Sequence, residues 1–117
     1  MPRSTPLVVM SAVLLAFTTT IASATTINVT VGEYFFQPAN ITVRPGDVVH
    51  WTNTGSYAHT VTSSKPATPG HLFDAPLNPG QSFDWTVPTP PVSSVTLQYL
   101  CSFHPTLGQK GSLKITK

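Results

Sequence analysis

The chain has 117 residues, of which 40% are hydrophobic and 9% charged, and Lys plus Arg exceed Asp plus Glu by six to four. Six scattered basic residues do not form the basic surface that phosphate recognition needs, so the composition argues against a nucleic-acid-binding protein. Two Trp, three Tyr and six Phe argue against disorder, and twelve Pro and seven Gly favour turns over long helices.

The first 24 residues predict a secretory signal peptide. Arg3 supplies its positive start, Leu7 to Phe17 form an apolar run, and Ala22-Ser23-Ala24 offers small residues for cleavage. The run is too short for a membrane helix, which needs about 20 residues. An uncleaved anchor is the alternative interpretation. We expect a signal peptide at 1–24 and one domain at 25–117, periplasmic or secreted and without a membrane span.

The rest of the chain predicts short β-strands between turns that are rich in Pro and Gly. Apolar and polar residues alternate from Ile27 to Val31, and turn sequences such as Arg44-Pro45-Gly46-Asp47 follow. Seven or eight strands at this spacing predict an all-β sandwich or a small barrel. A helix of about one turn is expected only within 64–77. The predicted strands are 27–31, 41–43, 48–53, 59–63, 83–87, 95–101 and 112–116.

Two histidines on or near these strands are predicted to be surface residues. His50 alternates with Trp51, whose face we expect to be the core together with Phe83, Trp85 and Tyr99. His71 follows Pro69-Gly70 in an expected loop. A second metal site formed by His50 and His71 is the alternative.

Cys101 is the single cysteine, so the chain has no internal disulfide. An exported thiol is prone to oxidation unless it is buried, paired with another chain or bound to a metal, and an inert core thiol is the plainest alternative. His104 follows three residues later, and thiolate plus imidazole suits copper or zinc. His59, on a neighbouring predicted strand, could complete a site of two histidines and one cysteine.

The order of His59, Cys101 and His104 resembles the cupredoxins, specifically the plastocyanin and amicyanin group. The resemblance spans the expected mature chain and implies an all-β, cupredoxin-like Greek-key β-sandwich of seven to eight strands. It also implies one type 1 copper ion with these three residues as ligands. The further matching motifs are Trp51-Thr52-Asn53, Phe73-Asp74, Pro79-Gly80-Gln81-Ser82-Phe83 and Gly111.

The sequence departs from the family pattern at the position of the fourth, axial ligand. The group usually places an axial Met after the second histidine, but both methionines of this chain, Met1 and Met10, lie in the predicted signal peptide. The plastocyanin spacing falls on Gln109, whose amide oxygen can replace Met. The amicyanin spacing falls on Leu107, which cannot ligate. We predict axial Gln109; a solvated glutamine beside three-coordinate copper is the alternative.

The resemblance implies a monomeric carrier of single electrons, with no catalytic role. Redox partners are expected to dock on an apolar patch around His104, which is flanked by Phe103, Pro105 and Leu107. Thr60 is expected to bond to the Cys101 loop. No carboxylate is expected near the motif residues to act as a base, and four protein donors would leave no open position for substrate. The alternatives are a copper-delivery protein and an extracellular interaction module without a redox role.

Overall fold

A computed structural model describes residues 23–64 and 72–117 of the chain. Two predictions fall largely outside these residues. They concern the signal peptide, most of which is not described, and the short helix expected within 64–77, of which 65–71, including His71, are not described. The described residues form nine β-strands and no helix. None of them belongs to a helix long and apolar enough to cross a bilayer.

The nine strands form two sheets. The first has the order β2-β1-β4-β7 and the second the order β3-β9-β8-β5-β6. Two neighbouring pairs, β1 with β4 and β3 with β9, are parallel, and the others are antiparallel. The predicted all-β sandwich is therefore confirmed. The strands are β1 (Thr26–Gly32), β2 (Phe35–Gln37), β3 (Asn40–Val43), β4 (Val48–Asn53), β5 (His59–Ser63), β6 (Asp74–Leu77), β7 (Ser82–Thr86), β8 (Ser94–Leu100) and β9 (Lys110–Thr116).

The sequence did not predict β2 or β6. β2 has only three residues, too few for an alternating pattern to be recognised. β6 contains Pro76, which argues against a strand because proline cannot donate a backbone hydrogen bond. The edge position of β6 resolves this, since only one side of the strand pairs, with β5.

An aromatic cluster around Trp51 fills the space between the sheets. The Trp51 ring is fully buried, and its centroid lies 5.3 Å from that of Phe73, 5.8 Å from that of Phe83 and 5.5 Å from that of Tyr99. His50 lies on the opposite face of β4, where it pairs with Asp84 of β7 at the surface. The predicted division of β4 into a core face and a solvent face is confirmed.

Candidate metal centre

The topology brings His59 and Cys101 to the same end of one sheet. His59 is the first residue of β5, and Cys101 directly follows the last residue of β8. The two strands are antiparallel neighbours, so the start of β5 lies beside the end of β8. His104 comes from the loop that connects β8 to β9.

This loop makes two successive turns that bring His104 back over Cys101. The backbone N–H of His104 donates to the carbonyl of Cys101 at 3.3 Å, and the N–H of Leu107 donates to the carbonyl of His104 at 3.1 Å. Gly108 has a φ of 73°, which favours glycine, and the N–H of Cys101 then closes the loop on the carbonyl of Gln109 at 3.0 Å.

The three side chains meet with their donor atoms facing one another. Cys101 Sγ lies 3.3 Å from His104 Nδ1 and 3.9 Å from His59 Nδ1, and all three donor atoms lie within 4.8 Å of one another. An ion about 2.3 Å from sulfur and about 2.0 Å from nitrogen needs donors roughly 3 to 4 Å apart. His59 and Cys101 are buried and His104 is half-buried. The structure thus brings the three predicted residues together in a set that fits a thiophilic metal.

Thr60 links β5 to the Cys101 loop, as expected from the sequence. Its backbone N–H donates to Cys101 Sγ at 3.4 Å. Its hydroxyl oxygen accepts from the N–H of Ser102 at 2.7 Å and lies 3.0 Å from the Ser102 hydroxyl. These bonds fix the direction of the sulfur and the start of the ligand loop.

The side-chain amide of Gln109 is fixed at one end and unpaired at the other. Gln109 is 2% exposed, and its Nε2 donates to the carbonyls of Gly32 at 2.8 Å and Phe35 at 3.2 Å. Its Oε1 is buried and has no hydrogen-bond partner among the described residues. Such burial is incompatible with a solvated loop glutamine, and it leaves a buried acceptor without a donor among the described residues. Leu107 is 50% exposed, on the outside of the loop.

Glu33 is the functional candidate that the sequence analysis missed. Its Oε1 accepts from the N–H groups of Tyr57 at 2.9 Å and Ser56 at 2.7 Å and lies 3.3 Å from His59 Nε2. Donation from the Tyr57 backbone is the main cause that lowers the pKa of Glu33 below its ordinary value. A carboxylate therefore lies beside one of the proposed ligands, which the sequence analysis did not anticipate. Because Glu33 comes from the segment after β1, no spacing in the sequence links it to His59.

Exposed apolar residues flank His104 in the ligand loop. Phe103 is 56% exposed and Leu107 50%. The ring of Tyr34, 40% exposed, packs against that of His104 with a centroid distance of 4.8 Å. Phe103 and Leu107, two of the residues expected to flank His104 at the surface, are thus exposed, and Tyr34 adds an exposed ring from outside the ligand loop.

We expect the metal-free protein to fold, because Cys101 is the only candidate ligand among the buried apolar core residues of the described part of the chain. The apolar interior holds large side chains from both sheets, and a domain of this size buries roughly 60 to 65% of its unfolded surface. Circular dichroism of metal-free protein should show β-structure and cooperative melting, and added Cu(II) should raise the melting temperature. An unfolded spectrum before metal addition would contradict a preformed site.

Sequence comparison identifies a family for the chain. The model of "Copper binding proteins, plastocyanin/azurin family" matches residues 23–116. The plastocyanin of Scenedesmus fuscus is 24% identical over 91 residues, which cover 72% of this chain and 89% of that protein. The predicted resemblance to plastocyanin is confirmed.

Structural comparison gives the same result. A purple cupredoxin from Nitrosopumilus maritimus has a TM-score of 0.63 and 26% identity, and the match covers 77% of this chain and 99% of that one. A reduced amicyanin mutant has a TM-score of 0.64 and 22% identity, and the match covers 77% of this chain and 81% of that one. At this low identity the match shows a shared fold only.

Proposed function

Because the chain belongs to the plastocyanin/azurin family of copper-binding proteins, we propose that it is an exported carrier of single electrons. The observation that carries this proposal is the meeting of two imidazoles and one thiol, whose donor atoms lie within 4.8 Å of one another. Two histidines and one cysteine with a weak axial donor are typical of blue-copper electron-transfer sites. Copper, when bound, supplies a one-electron couple.

We assign four ligands on this basis. His59 and His104 would bind through Nδ1 and Cys101 through Sγ, because these atoms face one another. Gln109 would provide the axial donor through Oε1, to which no described group donates a hydrogen bond. Four donors from the protein leave no position for a substrate, so we propose transport without catalysis.

The described residues favour transfer with little rearrangement. His59 and Cys101 are fully buried, so water is kept from the donor atoms on that side. The Thr60 bonds to Cys101 and Ser102 and the Gln109 bonds to β1 and β2 hold the donors in place before an ion arrives. Held by these residues, copper would supply a one-electron couple between a reduced and an oxidised partner, and the protein side chains would neither gain nor lose a proton.

Partners would dock at the apolar surface formed by Tyr34, Phe103, His104 and Leu107. His104 is the one proposed ligand that is not fully buried, so this surface gives the shortest approach to the centre. Residues 25–117 carry five Lys or Arg and four Asp or Glu, too small an excess for strong electrostatic steering. We therefore propose docking through apolar contact.

We expect rapid electron self-exchange between the Cu(I) and Cu(II) forms, and slower exchange in Leu107→Glu. Two copies of this variant would bring like charges together at the docking surface, which costs several kcal/mol, so the rate should fall at least about tenfold. NMR line broadening in mixtures of both forms measures the rate, and the visible spectrum should not change. Leu72→Glu is the matched control, because Leu72 is similarly exposed and lies beside Ser63, at the other end of β5 from His59.

An equal rate in the two variants would contradict the docking surface. Slow self-exchange in the unmodified protein, together with rapid transfer of Cu(I) to a chelator, would favour copper delivery over electron transport.

We also propose that residues 1–24 are a cleaved signal peptide and that 25–117 form one exported domain, which acts as a monomer. The first strand of the described residues begins at Thr26, the second residue after the proposed cleavage site, and the family match begins at residue 23. A periplasmic or secreted location follows from this proposal.

A further inference from the structure

The two ring nitrogens of His59 face different groups. Nδ1 lies 3.9 Å from Cys101 Sγ, and Nε2 lies 3.3 Å from Glu33 Oε1. The His59 side chain is 0% exposed and that of Glu33 is 27% exposed. His59 therefore has one nitrogen at the proposed copper centre and the other at a carboxylate.

The Glu33 carboxylate is held in place by backbone groups. It accepts from the N–H groups of Ser56 and Tyr57, which precede β5. Gly55 leaves room for it, since a Cβ at that position would lie 2.7 Å from Glu33 Cδ. The connection between β4 and β5 thus holds this carboxylate through two backbone N–H groups.

We infer that Glu33 is a positioning residue that acts on copper through His59. It fixes His59 as the tautomer protonated at Nε2, which leaves Nδ1 free to bind, and its negative charge favours Cu(II) over Cu(I). A histidine ligand commonly donates its other N–H to a carboxylate, which orients the ring and raises its basicity. Cu(II) carries the greater positive charge, so a fixed anion stabilises it more than Cu(I). This inference rests on the proposed function.

A role confined to bracing the 55–57 loop is the competing explanation, and two variants separate the roles. Glu33→Gln keeps an oxygen acceptor for the loop and for His59 but removes the charge. Glu33→Ala removes both. Asp84→Asn is the matched control, because it removes one carboxylate that pairs with His50 on β4, away from the proposed ligands.

The first test measures reduction potentials by voltammetry. In Glu33→Gln we expect the ratio of Cu(I) to Cu(II) affinity to rise about tenfold, which corresponds to about 59 mV for a one-electron couple. Asp84→Asn should not shift the potential. Glu33→Ala should also lower Cu(II) affinity about 10- to 100-fold, as loss of the partner of a ligand histidine does. Equal potentials for Glu33→Gln and Asp84→Asn would overturn the inference.

The second test uses metal-free protein and does not depend on copper. The ¹⁵N chemical shifts of His59 should report a proton on Nε2 in the unmodified chain, and a mixture of tautomers in Glu33→Ala. A proton on Nδ1 in the unmodified chain would overturn the inference. If the unmodified protein shows the copper–thiolate band and Glu33→Gln leaves its potential unshifted, the role of Glu33 alone is rejected. If the unmodified protein shows no such band, the proposed function is rejected.

Discussion

Cys101→Ser is expected to lose all copper–thiolate absorption in the visible region while keeping its β-sheet fold. Serine is nearly the same size as cysteine, but its hydroxyl is a hard, neutral donor that does not replace a thiolate on copper. Copper affinity should fall by more than the roughly 10- to 100-fold typical of losing a ligand's supporting partner. Absorption spectroscopy and competition with a chelator measure the two effects, and circular dichroism checks the fold.

Ser94→Ala is the control for this substitution, because it changes an exposed serine at the opposite end of β8 from Cys101. It should keep the band. A Cys101→Ser protein that bound copper with unchanged affinity would contradict thiolate ligation. Unchanged function of that protein in its native setting would favour an extracellular interaction module.

Gln109→Met is expected to raise the reduction potential. An amide oxygen is a harder donor than a thioether sulfur and stabilises Cu(II) more, so its replacement shifts the balance toward Cu(I). Gln109→Leu should raise the potential further, because it removes the axial donor. A tenfold change in the relative affinity for the two oxidation states corresponds to about 59 mV, and we expect at least this shift in Gln109→Leu.

Both Gln109 substitutions also remove the two donations to the carbonyls of Gly32 and Phe35. Leaving such acceptors unpaired costs about 1 to 3 kcal/mol of stability, so melting curves must show that each variant is folded at the temperature of the electrochemistry. Gln98→Met on the exposed face of β8 is the matched control and should leave the potential unchanged. Coinciding potentials for Gln109→Met, Gln109→Leu and the unmodified protein would contradict axial ligation.

The fold was largely predictable because its strands alternate in polarity and its turns carry Pro and Gly. β4 is the clearest example, since Val49 and Trp51 are fully buried and His50 lies outside. β2 and β6 escaped prediction because shortness and a proline hide their strand character. β2 is held as a strand by pairing with β1, and β6 by pairing with β5. Such tertiary contacts leave no local signal in the sequence.

The residues of the candidate centre also fall into a group that the sequence predicts and a group that it does not. Cys101, His104 and Gln109 share one short segment, so their chemistry and spacing were readable together. Glu33 and Tyr34 come from the connection between β1 and β2, far from that segment in sequence. Only the packing of the two sheets brings them to His59 and His104, so neither composition nor spacing could identify them.

The most direct test of the account is the visible absorption spectrum of the unmodified protein during titration with Cu(II). The buried thiol of Cys101 and the two imidazoles predict an intense copper–thiolate band that saturates at one equivalent of copper and disappears on reduction. A colourless protein, or weak absorption that grows without saturation, would contradict a copper centre formed by His59, Cys101 and His104.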